Sequence, residues 1–358
     1  MNLTKKTGFL VSFAVITVLL SRLFGRESAI IEQFFYGGIF QVLRFVYDYT
    51  LGLLPIPVMY IFILLILYSI FLIINSFRKT EKKGFGRFGK PVLILLNTLS
   101  ILVICFYWFW GFNYNRQSIE KTHGLSYSDI DTVDLKNQYD QTLIKLKELK
   151  LQFNKEEKIK DITENPVRYE NSCRASLTKE LDALNYHTNG RVRIRRLRPK
   201  GALLRISTAG VYWPFVFEGH IDPGLHPMTW PFTMTHEMGH GYGFTDEGTC
   251  NFLGWLGCTN NDDPFIQYSA WIRYLRYVLS NLRGAVSDDS YRKIYNDLPD
   301  FITEDLTAIR ESARRYPDVM PAIRDVFYHN YLKTHGVEGG LVNYSKVVKL
   351  VYAWEKSR

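Results

Sequence analysis

The residues most able to do chemistry lie in one stretch, Pro231 to Phe252, which reads PFTMTHEMGHGYGFTDEGTCNF. His236 and His240 are four positions apart, so on a helix both imidazoles project from one face and can reach a single metal ion. Glu237, next to the first histidine, is placed to take a proton from a water on that ion, the HExxH arrangement. The triplet alone arises by accident in roughly one such chain in a hundred, so its surroundings count. Pro231 suits a first helical turn, and Gly239, Gly241 and Gly243 let the helix stop and the chain reverse just after His240. A reversal there returns an acid to the metal, and two are available, Asp246 and Glu247.

Taking Asp246 gives HExxHxxGxxD, similar to the metzincins, but no methionine stands between Met238 and Met320 to make the turn that group uses. Asp246 also has the position of an N-cap before the next apolar run. Taking Glu247 gives a His2Glu set, which binds Zn2+ with a fourth position left for water. The chemistry expected of that set is hydrolysis of an amide, with Glu237 taking the water's proton and later passing it to the leaving amine. Help for the oxyanion would come from Tyr268, His220 or His226, each of which competes with an ordinary core or surface role. Glu218, in FVFEGHI, could orient a ligand histidine or meet a substrate amine, and Asn251, one turn beyond Glu247, could brace its carboxylate.

These residues resemble the motif of a bacterial family of unassigned function. It has three transmembrane helices and then an extracytoplasmic, gluzincin-like zinc-peptidase domain with a motif close to HExxHxxGxxxExEANF. The matching positions are His236, Glu237, His240, Gly243, Glu247, Asn251 and Phe252. Further similarity lies in Pro214, Phe215 and Glu218, in DDPFIQYS (262–269) and in NYLKTHGVEGGLVNYSKVVKL (330–350). The resemblance implies that His236, His240 and Glu247 bind zinc and that Glu237 is catalytic. The chain departs from the motif where the second acid and the alanine of ExEANF become Thr249 and Cys250.

The elements that must position this site divide the chain in two. Of 358 residues 47% are apolar and the mean hydropathy is -0.10, yet the long apolar runs fall before residue 113. Residues 8–24, 55–77 and 91–112 are each long enough for a span, since about 20 apolar residues cross the hydrocarbon core. Lys5 and Lys6 precede the first, which lacks a small-residue cleavage site and so reads as an uncleaved helix. The loop between the second and third holds Arg78, Lys79, Lys82, Lys83, Arg87 and Lys90 against Glu81 alone, the composition of a cytoplasmic loop. The C-terminal part is then expected outside the cytoplasm. Residues 34–54 are apolar but interrupted by Arg44 and Asp48. Because a charge at the bilayer centre costs about 2.5–3.5 kcal/mol, a helix at the outer surface is preferred to a fourth span. Phe106 to Trp110 suits an interfacial aromatic belt.

Beyond residue 113, three- and four-residue apolar spacing predicts a long helix over 128–160 and another over 168–185. Alternation predicts strands in RVRIRRLR (191–198), ALLRIS (202–207) and VYWPFVFEGHI (211–221). Helical spacing returns in PFIQYSAWIRYLRYVLSNL, FITEDLTAIRESARR, VMPAIRDVFYHNYLKTH and LVNYSKVVKLVYAWEK. The arginines of 193–198 offer a phosphate or lipid-headgroup patch, but the simpler and preferred reading is one solvated strand face near the membrane. Four scattered cysteines do not make a disulfide framework.

The expected architecture is therefore α+β and mostly helical, with a three-helix membrane anchor (1–113) followed by a zincin-like domain with a small sheet (114–358). The expected function is a multi-pass cell-membrane zinc metallopeptidase whose partners are the lipid bilayer and a peptide, protein or cell-wall amide substrate. The net charge of +9 is explained by topology-setting basic residues, so no nucleic acid is expected. The alternative is a non-catalytic envelope-anchored scaffold with a degenerate or structural metal site. An intramembrane protease is disfavoured, because no run of about 18 apolar residues encloses the motif, and so is a transporter, because the spans hold almost no ionisable residues away from their ends.

Overall fold

A computed structural model describes residues 3–25, 28–79, 84–125, 130–319 and 342–357. The chain is mostly helical with one small mixed three-stranded sheet, and it forms two compact units. The first comprises Met1–Gln117 with Asn189–Arg191 and Trp213–Glu218; the second comprises Ser118–Thr188, Val192–Tyr212 and Gly219–Arg358.

In the first unit the helices are α1 (Leu3–Phe24), α2 (Gln41–Asp48), α3 (Val58–Arg78) and α4 (Gly89–Phe109). Three of the described helices, Leu3–Phe24, Val58–Arg78 and Gly86–Phe109, are long and apolar enough to cross a membrane. α4 packs against both α1 and α3. Two polar groups on these helices find partners within the unit: Thr98 Oγ1 donates to the Ile94 carbonyl at 3.0 Å, and Trp108 Nε1 donates to Thr17 Oγ1 at 3.2 Å.

The segment expected to lie on the membrane surface is a π-helix, Ile31–Phe40, running into α2. It is not among the helices long enough to span. Its two charges face inward. Arg44 and Asp48 pair at 2.8 Å with side chains 1% and 0% exposed. Asp48 Oδ2 also accepts the Arg191 N–H at 2.7 Å, and Arg44 Nη1 donates to the Phe217 carbonyl at 3.4 Å. Around this pair the WPFVFE segment is fixed by aromatic rings. Phe217 packs on Phe40, Tyr47 and Phe109, and Phe215 on Phe62 and Phe106. Removing one partner of a buried pair leaves an uncompensated charge. Arg44→Met is therefore expected to destabilise the protein by about 3–5 kcal/mol, seen as a lowered Tm in detergent; an unchanged Tm would show the pair to be dispensable.

The second unit contains α5 (Ile119–His123), α6 (Thr132–Lys150), α7 (Lys155–Glu164), α8 (Pro166–Ala183), β1 (Arg193–Arg196), β2 (Gly210–Trp213), β3 (Glu218–Ile221), α9 (Trp230–Gly241), α10 (Glu247–Thr259), α11 (Pro264–Ala285), α12 (Asp288–Asn296), α13 (Asp300–Arg314) and α14 (Val342–Lys356). The sheet order is β1-β3-β2. Pro166, Pro231 and Pro264 occupy first turns, where a missing N–H costs nothing. Asp131, Asp246 and Asp263 cap α6, α10 and α11 with their carboxylates. α9 packs on β1, α8, α10 and α11, among the fully buried Cys173, Leu177, Met238, Phe252, Leu256 and Ile272.

Three expectations are corrected. The helix over 128–160 is two helices, because the Asn154 side chain accepts the Glu157 N–H and starts α7 anew. ALLRIS is not a strand but a 3-10 turn, Leu204–Ile206. It winds around the buried Asp222, whose carboxylate collects the N–H groups of Gly201, Leu203, Leu204 and Gly224. Arg193, assigned to a solvated face, instead pairs with the buried Glu170 at 3.1 Å. The helix expected in VMPAIRDVFYHNYLKTH lies, but for Val319, outside the described residues, as does the first part of the 330–350 similarity.

Candidate metal centre

α9 presents His236 and His240 on one face, and α10 begins with Glu247 opposite them. Between the helices Gly243 takes φ +90°, a conformation that side chains resist, and this turn brings Glu247 back. The Glu247 carboxylate then lies 3.3 Å from His236 Nε2 and 3.5 Å from His240 Nε2. All three donor atoms lie within 4.8 Å of one another. Donors on a tetrahedral ion with bonds near 2.1 Å stand roughly 3.4 Å apart, so the cluster has the dimensions of a metal site, and its donor set is one that zinc accepts.

The supports behind these three side chains are specific. His240 Nδ1 is 2.9 Å from the Phe244 carbonyl. A carbonyl only accepts, so Nδ1 carries a proton, and Nε2 is the nitrogen left to bind a metal once its own proton is lost. Cys250 Sγ donates to the same carbonyl at 3.4 Å, and burial pushes its thiol up to about 11, which keeps it neutral. α10 approaches α9 closely because Gly254 and Gly257 face Phe232 and Thr235.

Glu237 is 4% exposed and turns toward β2. Its carboxylate accepts the Tyr212 N–H, and Oε2 has no hydrogen-bond partner among the described residues. A Cβ at position 210 would lie 2.5 Å from Glu237 Oε1, so the strand can pass here only as glycine. Burial raises the Glu237 carboxyl to about 7, against the lowering effect of the two histidines. A group with that value exchanges protons readily near neutral pH.

Asp246 does not join the cluster. Its Oδ1 accepts the Thr249 N–H and the Thr249 hydroxyl, both at 2.8 Å, and pairs with Lys346 Nζ at 2.7 Å. Thr249, where the chain departs from the ExEANF pattern, thus belongs to the helix cap, and the departure leaves His236, His240 and Glu247 together. Lys346, on α14, also reaches Glu120 at 2.7 Å. Burial works against its charge, but Asp246 and Glu120 hold the ammonium well above its usual value. Sequence reasoning missed Lys346, since nothing local links it to a turn a hundred residues earlier. Lys346→Met is expected to lower the Tm, because it leaves the Glu120 and Asp246 carboxylates side by side without their cation; an unchanged Tm would show the contact to be dispensable.

Four of the other candidates are bonded elsewhere. Glu218 Oε2 accepts the Val58 N–H at 2.9 Å, capping α3 within the first unit, where a carboxylate favours the helix dipole. Asn251 Oδ1 accepts the Tyr277 hydroxyl at 2.8 Å. Tyr268 is fully buried and donates to Asp305 at 2.6 Å, and His226 Nδ1 accepts the Met228 N–H at 3.4 Å. His220 is fully buried in β3. Beside the cluster stand residues the sequence did not single out: Phe232, whose ring centroid is 6.5 Å from that of His236, and Arg273, which covers Phe232 and bonds the Tyr277 hydroxyl.

No curated protein and no solved structure matches the chain. Residues 35–352 match the family described as "Protein of unknown function (DUF3810)", and with most of its length inside that match the chain belongs to this family.

Proposed function

We propose that this protein is a zinc-dependent metallopeptidase anchored by three membrane helices, with its second unit outside the cytoplasm, hydrolysing amide bonds in a peptide, an envelope protein or cell-wall material. The observation that supports it most is the convergence of two imidazole nitrogens and the Glu247 carboxylate beside a buried, partly unpartnered Glu237. Zinc held by such a set supplies Lewis acidity to a bound water and to a scissile carbonyl. The chain's own residues do the rest. Glu237, poised near neutrality, takes the water's proton and delivers it to the leaving nitrogen. The Tyr212 N–H fixes one edge of its carboxylate and leaves Oε2 for that exchange. The Phe244 carbonyl holds His240 in the tautomer that offers Nε2.

The orientation rests on the basic loop between α3 and α4, with the amino-terminal Lys5 and Lys6 on the same side. Full-length protein in detergent, offered a fluorogenic peptide library, is expected to cleave a subset of it, to lose that activity to a chelator and to regain it with stoichiometric zinc. Cleavage that survives complete metal removal would overturn the reading.

A further inference from the structure

The segment joining α1 to α3 has its polarity inside out. Over α2 the buried residues are Gln41, Arg44, Tyr47 and Asp48, whereas Val42, Phe45, Val46 and Tyr49 are 62%, 56%, 53% and 56% exposed. The exposed set follows i, i+3, i+4, i+7 spacing, one continuous helical stripe. Phe34, 65% exposed, and Leu53, 61% exposed, add bulk from the flanking turns. In water each such side chain would forgo about 1.5–3 kcal/mol of burial, and a stripe this apolar on a free surface marks an interaction site.

The segment is held at the level of the span ends. At its start, the Ser28 N–H donates to the Asn115 carbonyl at 2.8 Å, Glu32 pairs with Arg116 at 2.8 Å, and Phe35 packs on Phe112 with ring centroids 5.2 Å apart. These partners directly follow α4, and Asn115 Nδ2 also reaches the Ser21 carbonyl near the end of α1 at 3.0 Å. At its far end the chain passes through Pro57 into α3. Both ends therefore sit where α1 and α4 finish and α3 begins. The stripe is continuous in kind with the lipid-facing residues of α3, such as Leu64, 64% exposed, and Leu65, 59% exposed.

We propose that residues 31–53 form an interfacial element whose Val42, Phe45, Val46 and Tyr49 face is immersed in the acyl chains of the adjacent leaflet, while Arg44 and Asp48 fasten the other face to the protein. Such an element lies in the membrane plane with its apolar face about 5–10 Å below the headgroup boundary, and it does not cross. Unlike an ordinary surface helix, α2 turns no charged side chain to water, because Arg44 and Asp48 pair internally.

Spin labels on single cysteines at positions 42 and 45 test this in phosphatidylethanolamine/phosphatidylglycerol vesicles. Cys105 is replaced by alanine, and Cys173, Cys250 and Cys258, each 0% exposed, stay unlabelled. References are Leu67→Cys, 54% exposed and about 13 Å along α3 from its start, and Leu151→Cys, a site 89% exposed. The expected result at Val42→Cys and Phe45→Cys is frequent collision with oxygen, loss of collision with a water-soluble nickel chelate, and a depth shallower than the label at 67. Should either variant fail to assemble, Val46→Cys reads the same face. Nickel collision equal to that at 151 would place the face in water, a depth equal to that at 67 would make it a fourth span, and protection from both reagents would show a protein partner. Each of these overturns the proposal.

Discussion

Glu237→Gln is expected to lower kcat/KM for amide cleavage by about 10²- to 10⁴-fold, the range for losing a positioned general base, with zinc still bound. The amide keeps the shape of the side chain and can still meet the Tyr212 backbone, but it cannot hold the water's proton. His236, His240 and Glu247 are untouched, so metal content separates this loss from collapse of the site. Full activity in the variant would remove Glu237 from the mechanism.

The same substitution carries a second, opposite effect on stability. In the metal-free chain burial raises the Glu237 carboxyl from an ordinary 4.5 to about 7. Between those values the folded chain holds a proton that the unfolded chain has released, so stability falls as pH rises through this window and is flat above it. The penalty at pH 8 is on the order of 3 kcal/mol, at about 1.4 kcal/mol for each tenfold change. Metal-free Glu237→Gln protein is thus expected to melt higher than metal-free wild type at pH 8 and to converge with it near pH 4.5. This is the trade of stability for function common at active sites.

Glu247→Ala is the other change with a large expected effect: zinc affinity should fall more than about a hundredfold, beyond what residues that only orient a ligand produce. Asp246→Ala should cost about 1 kcal/mol through the helix cap and should leave the donor set in place. In the metal-free chain burial opposes charge on both His240 and Glu247, yet Cys250 and Glu247 beside it hold His240 well above its usual value, and His240 and His236 hold Glu247 well below. A metal must displace the His240 proton, so zinc affinity is expected to weaken as pH falls, about tenfold per pH unit below the histidine's raised value. Calorimetric titrations at several pH values measure both the slope and the proton released. An affinity independent of pH would mean that His240 is not displaced.

What the sequence made legible was whatever repeats locally. Apolar periodicity located the three long helices and most of those in the second unit, and the HExxH spacing located α9. The reversal at Gly243 and the cap at Asp246 are also local, and they brought Glu247 into consideration. What stayed hidden depends on partners far away in the chain. Arg44 and Asp48 read as charges at the edge of a bilayer, whereas the Arg191 N–H and Phe217 carbonyl that receive them are 143 and 173 positions from Asp48 and Arg44. Glu218 looked like a cleft residue until the start of α3 supplied its donor, and Tyr268 looked free until Asp305 did. The wrong strand at 202–207 has the same cause. Its backbone donors are gathered by Asp222, and no alternation of side chains announces a carboxylate hub.

The most direct test of the account is zinc K-edge X-ray absorption on the purified full-length protein, with His240→Ala as its control. The predicted spectrum is that of one zinc per chain with two imidazole nitrogens and carboxylate and water oxygens at about 2.0–2.2 Å, lost in the variant. A chain that binds no zinc, or one whose zinc spectrum is unchanged by His240→Ala, would contradict it.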